Sequence, residues 1–178
     1  VEQRTKELNI KNEELFKLSI TDKLTGLYNR VKLDSVLQEN MSLSLRYGNI
    51  FSVIIIDIDF FKKINDNFGH QVGDDVLKEC SYILSQNIRN VDTLGRWGGE
   101  EFLVVCPETL KDGAKDLAIK LNKAIKLHKF STYPHSVTIS VGVASCSVND
   151  LNYDDIISNA DKALYEAKNN GRDRVEIF

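Results

Sequence analysis

Two stretches of the chain combine residue types that can do chemistry. Arg96-Trp97-Gly98-Gly99-Glu100-Glu101-Phe102 joins paired glycines to paired carboxylates, and Asp57-Ile58-Asp59-Phe60-Phe61-Lys62 ends an apolar run on two acids and follows them with a cation. Successive glycines between residues 92–97 and the apolar run 102–106 predict a hairpin closed by a two-residue turn, whose central residues take φ > 0. They also leave room for a large flat ligand. Adjacent Glu100 and Glu101 repel each other, so a bound cation or a substrate proton would account for both at a crowded bend. For the hairpin alone, a solvated acidic turn accounts for them equally well. If the strand ending at Asp57 lies beside the hairpin, Asp57 and Glu100 converge, and two carboxylates there can hold a divalent cation. Phe60, Phe61 and Lys62 then open a helix, where free N–H groups and the positive end of the dipole favour phosphate oxygens. Taken singly, Asp57 reads as a solvated acid. Together, Asp57, Lys62 and Glu100 outline a nucleoside triphosphate site for phosphoryl or nucleotidyl transfer.

The elements that must position these groups follow from hydrophobic spacing. Leu33, Val36, Leu37, Met41 and Leu45 mark a helix stopped by Gly48-Asn49, and residues 50–58 form a β-branched apolar run that predicts a strand covered on both faces. Strand alternation puts Asp57 and Asp59 on one side while the chain stays extended. A short helix is expected over residues 60–69 and a longer one over 72–88, with Val72, Val76, Leu77, Cys80, Ile83 and Leu84 inward. After the hairpin, Thr109 is expected to cap a helix whose stripe is Leu110, Ala114, Leu117, Ala118, Leu121 and Ile125. Val137, Ile139, Val141 and Val143 alternate with small polar residues as in a strand, and Ile156, Ile157, Ala160, Ala163, Leu164 and Ala167 mark a last helix. Asn170-Gly171 closes it, and residues 174–178 supply a final strand. This order predicts an α+β fold with a ferredoxin-like βαββαβ core, its helices on one face of a mostly antiparallel sheet.

Ahead of this core, residues 1–18 form an N-terminal helical stalk with Val1, Leu8 and Leu15 at heptad spacing. Arg4 and Lys11 occupy the other seam positions, so an exposed helix fits nearly as well as a partial coiled coil. The pattern is already under way at Val1, and an upstream sensory domain in a longer protein is therefore expected. A chain of 178 residues with 42% hydrophobic content can bury one substantial core. A formal net charge of -3 argues against binding to DNA or RNA at large, and leaves room for a local basic pocket. Cys80, Cys106 and Cys146 lie in apolar runs and read as buried thiols. A reducing, cytoplasmic location fits, either free or as the cytoplasmic part of a membrane-anchored sensor. His70, His128 and His135 lack the spacing of a transition-metal site.

Four stretches resemble the GGDEF family of diguanylate cyclases. They are 24–30 (Leu-Thr-Gly-Leu-Tyr-Asn-Arg), 57–74 (from Asp57 through Asn65 to Gly73-Asp74), 96–102, and 161–172 (Asp-Lys-Ala-Leu-Tyr-Glu-Ala-Lys-Asn-Asn-Gly-Arg). The resemblance runs from residue 19 to 178 and implies a palm of the nucleotide-cyclase type, with two GTP condensed across a homodimer into cyclic di-GMP and two pyrophosphates. It implies Mg2+ or Mn2+ held by Asp57, the Ile58 carbonyl and Glu100, with Glu100 helping to deprotonate the attacking 3′-hydroxyl and Glu101 supporting it. By the same resemblance Asn65 and Asp74 hydrogen-bond guanine, Leu24 and Leu77 flank the base, Gly98 and Gly99 leave room for the nucleotide, and Phe60, Phe61, Lys62, Lys168 and Arg172 meet the phosphates. A carboxylate such as Asp74 accepts from the paired N–H groups of guanine and clashes with the acceptor edge of adenine, so GTP is expected over ATP. Asn65 as a helix cap, and Lys168 and Arg172 as dipole partners at a helix end, are the ordinary alternatives. Arg89-x-x-Asp92 matches the family's inhibitory site for the product, where Arg89 would pair with a guanine edge or phosphate and Asp92 with base N–H groups. A non-catalytic receptor for GTP or cyclic di-GMP is the rival function.

Overall fold

The computed structural model describes residues 2–147 and 149–178. Its elements are α1 (Glu2–Ile20), α2 (Arg30–Tyr47), β1 (Phe51–Ile58), α3 (Phe61–Phe68), α4 (His70–Asn87), β2 (Thr93–Arg96), β3 (Glu101–Pro107), α5 (Lys111–Leu127), β4 (Ile139–Ser145), α6 (Tyr153–Asn169) and β5 (Val175–Ile177). The five strands form one sheet in the order β2-β3-β1-β4-β5, antiparallel throughout except for the β4–β5 pair. Strands β1 to β4 with α4 and α5 make the ferredoxin-like βαββαβ core, and β1, paired on both edges, is its centre.

Every residue of β1 is buried, because alternate side chains enter two separate cores. Ile54, Ile56 and Ile58 pack with Val76, Leu77 and Leu84 of α4 and with Ala118, Leu121 and Ile125 of α5. Phe51, Val53 and Ile55 pack with Leu33, Leu37 and Met41 of α2 and with Ile156, Ala160 and Leu164 of α6. Helices therefore cover both faces, not one. The reason lies in the strand itself: both alternating sets are apolar, and each Ile or Leu left in water would forfeit about 2 kcal/mol. Of the two polar residues in the strand, Ser52 and Asp57, Ser52 is fully buried and satisfied by the Thr109 carbonyl at 2.6 Å and the Ser145 hydroxyl at 2.7 Å.

Two helix N-termini carry side-chain caps, and the expected third does not. Asn29 caps α2 through the Lys32 N–H, and Asn152 with Asp155 forms a reciprocal capping box on α6. Thr109 does not cap α5. Its hydroxyl donates to the Pro107 carbonyl and accepts from Arg89, leaving Leu110 at the cap position without a side-chain hydrogen bond. Cys80 and Cys106 are buried as expected, whereas Cys146 is partly exposed beside the Ser44 hydroxyl at 3.2 Å.

On α1, the seam position Val1 and the side chain of Leu8 lie outside the described residues, while Leu15, Phe16 and Leu18 are all more than 60% exposed. Among the described residues, no helix is long and apolar enough to cross a membrane.

Candidate active site

The antiparallel register pairs Asp57, near the end of β1, with Glu101 at the start of β3. Beyond that pair, the Ile58 N–H donates to the Glu100 carbonyl at 3.4 Å. Asp57 lies on the α6 side of the sheet, where Lys168 reaches its carboxylate at 2.8 Å. Burial pushes the Asp57 carboxyl up; Lys168 opposes this, and the negative charges of Glu100 and Asp59 add to it. Glu101 is likewise pushed up by burial and then by Asp57, with Asp161 and Glu100 contributing. Asp161 of α6 is raised by its partial burial against the pull of Arg30 and Lys168. Acids from three elements thus crowd one lysine, an arrangement that lacks positive charge and favours a cation. Among the described residues, no three His, Cys, Asp or Glu side chains are drawn together tightly enough to enclose a metal by themselves. The donor set fits an oxygen-loving divalent ion of which the protein supplies part of the shell and phosphate oxygens the remainder.

Next to the acids, the chain turns into α3 through Phe60, a non-glycine residue with φ 57°. The exposed Phe60 ring lies between two cations, Lys63 at 4.5 Å and Arg172 at 4.6 Å. Phe61 is buried in the core, so of this residue only the backbone can face a ligand. Lys62 stands exposed in the first turn of α3, and Lys63 rather than Lys62 covers Phe60. Asn65 faces α4 at Gly73, where a Cβ would lie 1.9 Å from the Asn65 Oδ1; only glycine lets that amide sit against the helix. Asp74 follows it, half-buried in the early turns of α4. Leu24 and Leu77 both pack in the core beneath α4, Leu77 being buried and Leu24 partly so. Of the groups expected around a triphosphate, Lys168 thus reaches Asp57 and Arg172 meets Phe60, while Asn65 lies against Gly73, next to Asp74, on α4.

The hairpin loop differs from the expected two-residue turn. Neither Gly98 nor Gly99 has positive φ, and the N–H groups of Trp97 and Gly98 both donate to the Glu101 carbonyl, leaving a four-residue loop over Trp97 to Glu100. What holds the loop is Arg96, a residue whose role the sequence reading missed. Its guanidinium donates to the carbonyls of Gly98 and Gly99 at 2.8 to 3.2 Å and to both carboxylate oxygens of Asp22 at 3.3 Å. Burial would raise Asp22, but hydrogen bonds from Thr25 and the charge of Arg96 outweigh it and hold the carboxyl low. The clue in the sequence is Asp22 three residues before Thr25, a turn-forming spacing that fixes the acid facing β2. Trp97 is braced in turn by the Arg30 guanidinium, 3.2 Å from its ring centre.

At the far end of the β2–β3 ladder, Arg89 and Asp92 do meet. The Arg89 N–H donates to Asp92 Oδ2 at 2.9 Å, its Nε lies 3.4 Å from the same oxygen, and its Nη2 donates to the Thr109 hydroxyl at 2.8 Å. The Asp92 side chain is fully buried, and among the described residues its Oδ1 accepts no well-formed hydrogen bond, although the carboxylate lies near the Cys106 thiol. Of this pair it is Arg89 that faces solvent, while Asp92 orients it.

An acid-rimmed palm of this kind, with a helix N-terminus at its edge, defines a class of nucleotide-handling domains, and comparison with known proteins gives the family. The family model described as "Diguanylate cyclase, GGDEF domain" matches residues 19–174, and the chain belongs to that family. It is 39% identical over 163 residues to the response regulator PleD of Caulobacter vibrioides, an alignment covering 89% of this chain and 36% of that protein. To diguanylate cyclase A of Treponema denticola it is 38% identical over 173 residues, covering 94% and 47%. The crystal structure of the coiled coil and GGDEF domain of DgcB from Caulobacter crescentus in complex with c-di-GMP superposes with a TM-score of 0.92 at 26% identity, covering 99% of this chain and 94% of that one. The chain spans about a quarter to a half of the length of the curated relatives it matches.

Proposed function

We propose that this domain is a diguanylate cyclase that joins two GTP into cyclic di-GMP with release of two pyrophosphates. The observation carrying the reading is the convergence of Asp57, Glu100 and Glu101 at adjacent strand ends, with Lys168 on Asp57 at 2.8 Å and the start of α3 alongside. The relatives named diguanylate cyclase support it.

Asp57, the Ile58 carbonyl and Glu100 would hold Mg2+ or Mn2+. When bound, the metal supplies a lowered pKa at the 3′-hydroxyl and neutralises charge on the α-phosphate. The side chains do the remainder. Lys168, Arg172 and the N–H groups at Phe60, Phe61 and Lys62 bind and orient the triphosphate. Asn65 and Asp74 select guanine, with Leu24 and Leu77 against the base. Glu100 accepts the 3′-hydroxyl proton and Glu101 orients it, while Gly98 and Gly99 keep side chains off the nucleotide. One domain binds one GTP, so two protomers face each other and each 3′-hydroxyl attacks the other's α-phosphate. The stalk, residues 1–18, serves that pairing ahead of a cyclase domain over 19–178. Cyclic di-GMP inhibits by binding at Arg89, which Asp92 orients. The free thiols of Cys80, Cys106 and Cys146 support a cytoplasmic setting.

Incubating the chain with GTP and Mg2+, alone and fused to an unrelated dimerising helix, tests the proposal. Pyrophosphate and cyclic di-GMP are the expected products. GTP binding with no pyrophosphate from the enforced dimer would replace this reading with a non-catalytic receptor.

A further inference from the structure

The two aspartates flanking Ile58 have parted company. Asp57 has Lys168 for its partner and acids around it, whereas Asp59 is already saturated by uncharged donors. The Asp59 residue is only 5% exposed. Its Oδ1 accepts from the Ser140 hydroxyl at 2.6 Å, and its Oδ2 accepts from the Thr138 hydroxyl at 2.7 Å and from the Asp173 backbone N–H at 3.1 Å. The last of these bonds spans more than a hundred residues and ties the end of β1 to the segment that leaves α6.

That segment is strained. Arg172 and Asp173 are consecutive non-glycine residues at φ 63° and 49°, in the left-handed region where a side chain crowds its own carbonyl. Such a turn persists only where its surroundings over-determine it, and here they do. The Arg172 N–H donates to the Ala167 carbonyl at 2.9 Å, and the Asp173 carboxylate accepts from Lys126 at 2.5 Å and Asn122 at 3.4 Å. Without these ties Arg172 would relax to an ordinary backbone conformation and its side chain would swing away. With them, its guanidinium sits 4.6 Å from the ring of Phe60, itself left-handed and directly bonded to Asp59 in the chain.

We propose that Asp59 is a positioning residue: it clamps the left-handed Arg172–Asp173 turn to the end of β1 and so holds the Arg172 guanidinium against Phe60, where it meets the triphosphate. The last clause rests on the cyclase reading; the clamp itself does not. Asp59 therefore acts on substrate through Arg172, and it takes no part in holding metal.

Two readouts on Asp59→Ala test this. Amide hydrogen exchange at residues 172 and 173 should accelerate at least about tenfold, because the opening of a bonded amide is what exchange reports, while Ile54 to Ile56 in β1 keep their protection. Affinity for 3′-deoxy-GTP, which binds without reacting, should fall about tenfold, the scale expected for losing one positioned charged contact, while affinity for GMP stays unchanged. In an Arg172→Ala background, Asp59→Ala should add no further loss. If Asp59→Ala does not fold, Asp59→Leu, which keeps roughly the volume and offers the Asp173 N–H no acceptor, is read in its place with the same expected direction. Unchanged exchange at residue 173 would overturn the clamp. Accelerated exchange with unaltered 3′-deoxy-GTP affinity would overturn its role in binding, and a loss restored by raising Mg2+ would make Asp59 a metal ligand instead. A wild-type chain that binds no 3′-deoxy-GTP would sink the cyclase reading, and the exchange result would still decide the clamp.

Discussion

At the loop end of the β2–β3 hairpin, Arg96 is 21% exposed and spends its donors on Asp22 and the carbonyls of Gly98 and Gly99, while Glu100 and Glu101 form no ion pair among the described residues. At the other end Arg89 is 57% exposed, and it is the acid, Asp92, that is fully buried. The two ends use the same residue types with opposite outcomes. Where the arginine is consumed by backbone carbonyls and a partly buried acid, the remaining carboxylates stay free to meet a cation. Where the acid is consumed, the remaining guanidinium is released to an external anion. One short hairpin thereby presents an acidic end suited to metal and a basic end suited to a phosphate or guanine edge, separated by the length of its ladder.

The comparison breaks most visibly at the acids. Asp57→Asn and Glu100→Gln should each lower turnover on the order of 1,000-fold, equivalent to about 4 kcal/mol of lost transition-state stabilisation, with circular dichroism and Tm showing an intact fold. An active, folded variant at either position would remove the metal role. Arg96→Ala should cost less. Its loss leaves the acids in place but frees the loop that presents them, and groups that orient ligands from behind are worth about 10–100-fold in metal affinity or activity. The measurement is the Mg2+ concentration giving half-maximal turnover. A variant with wild-type Mg2+ dependence would mean that the loop holds its shape without Arg96.

The basic end gives a smaller effect of a different kind. Arg89→Ala removes the exposed guanidinium and should weaken inhibition by cyclic di-GMP about tenfold, or ~1.4 kcal/mol. Inhibition curves measured on purified protein would show it, and a variant as readily inhibited as the wild type would dismiss the site. Asp92→Asn should follow in the same direction, because Asp92 fixes Arg89 through its N–H and Nε and reaches no solvent itself.

Most of the frame was legible in the sequence because periodicity reports burial directly. The apolar run at 50–58 and the stripes of α4, α5 and α6 gave the elements and the order of the βαββαβ core. The covering of both sheet faces was implicit in β1, whose two alternating sets are equally apolar, and expecting helices on one face overlooked the second set. The meeting of Asp57 with Glu100 and Glu101 was legible because an acid ending a buried strand and two adjacent acids at a hairpin bend shared one chemical need. Arg96 and Asp22 were not, since an ion pair between residues 74 positions apart leaves no periodic trace. The same holds for Thr109, whose sequence position suits a helix cap but whose hydroxyl is taken by Arg89 and the Pro107 carbonyl. Gly98 and Gly99 suggested a primed turn, and the observed loop instead closes through Trp97 and Gly98 on the Glu101 carbonyl.

The smallest expected effect sharpens the acidic end by its own electrostatics. Burial, followed by the charges of Asp57, Asp161 and Glu100, raises the Glu101 carboxyl above its ordinary value, so the folded state binds that proton more tightly than the unfolded chain. Stability contributed by this group is therefore fully present below the unfolded pKa, about 4.3, and is lost as pH rises through the higher folded value. At pH 7 the metal-free protein bears the whole cost of ionising Glu101 among other acids. Glu101→Gln keeps the shape and removes that charge, and it should raise Tm in EDTA by on the order of 2 °C at pH 7, an advantage that vanishes near pH 4, where both proteins are neutral at this position. Saturating Mg2+ should shrink the advantage, because a cation held by Asp57 and Glu100 offsets the repulsion that the ionised Glu101 meets in the wild type. A glutamine variant no more stable than wild type in EDTA at pH 7 would show that Glu101 is not under repulsive strain, and the acidic end would then need no cation to explain its composition.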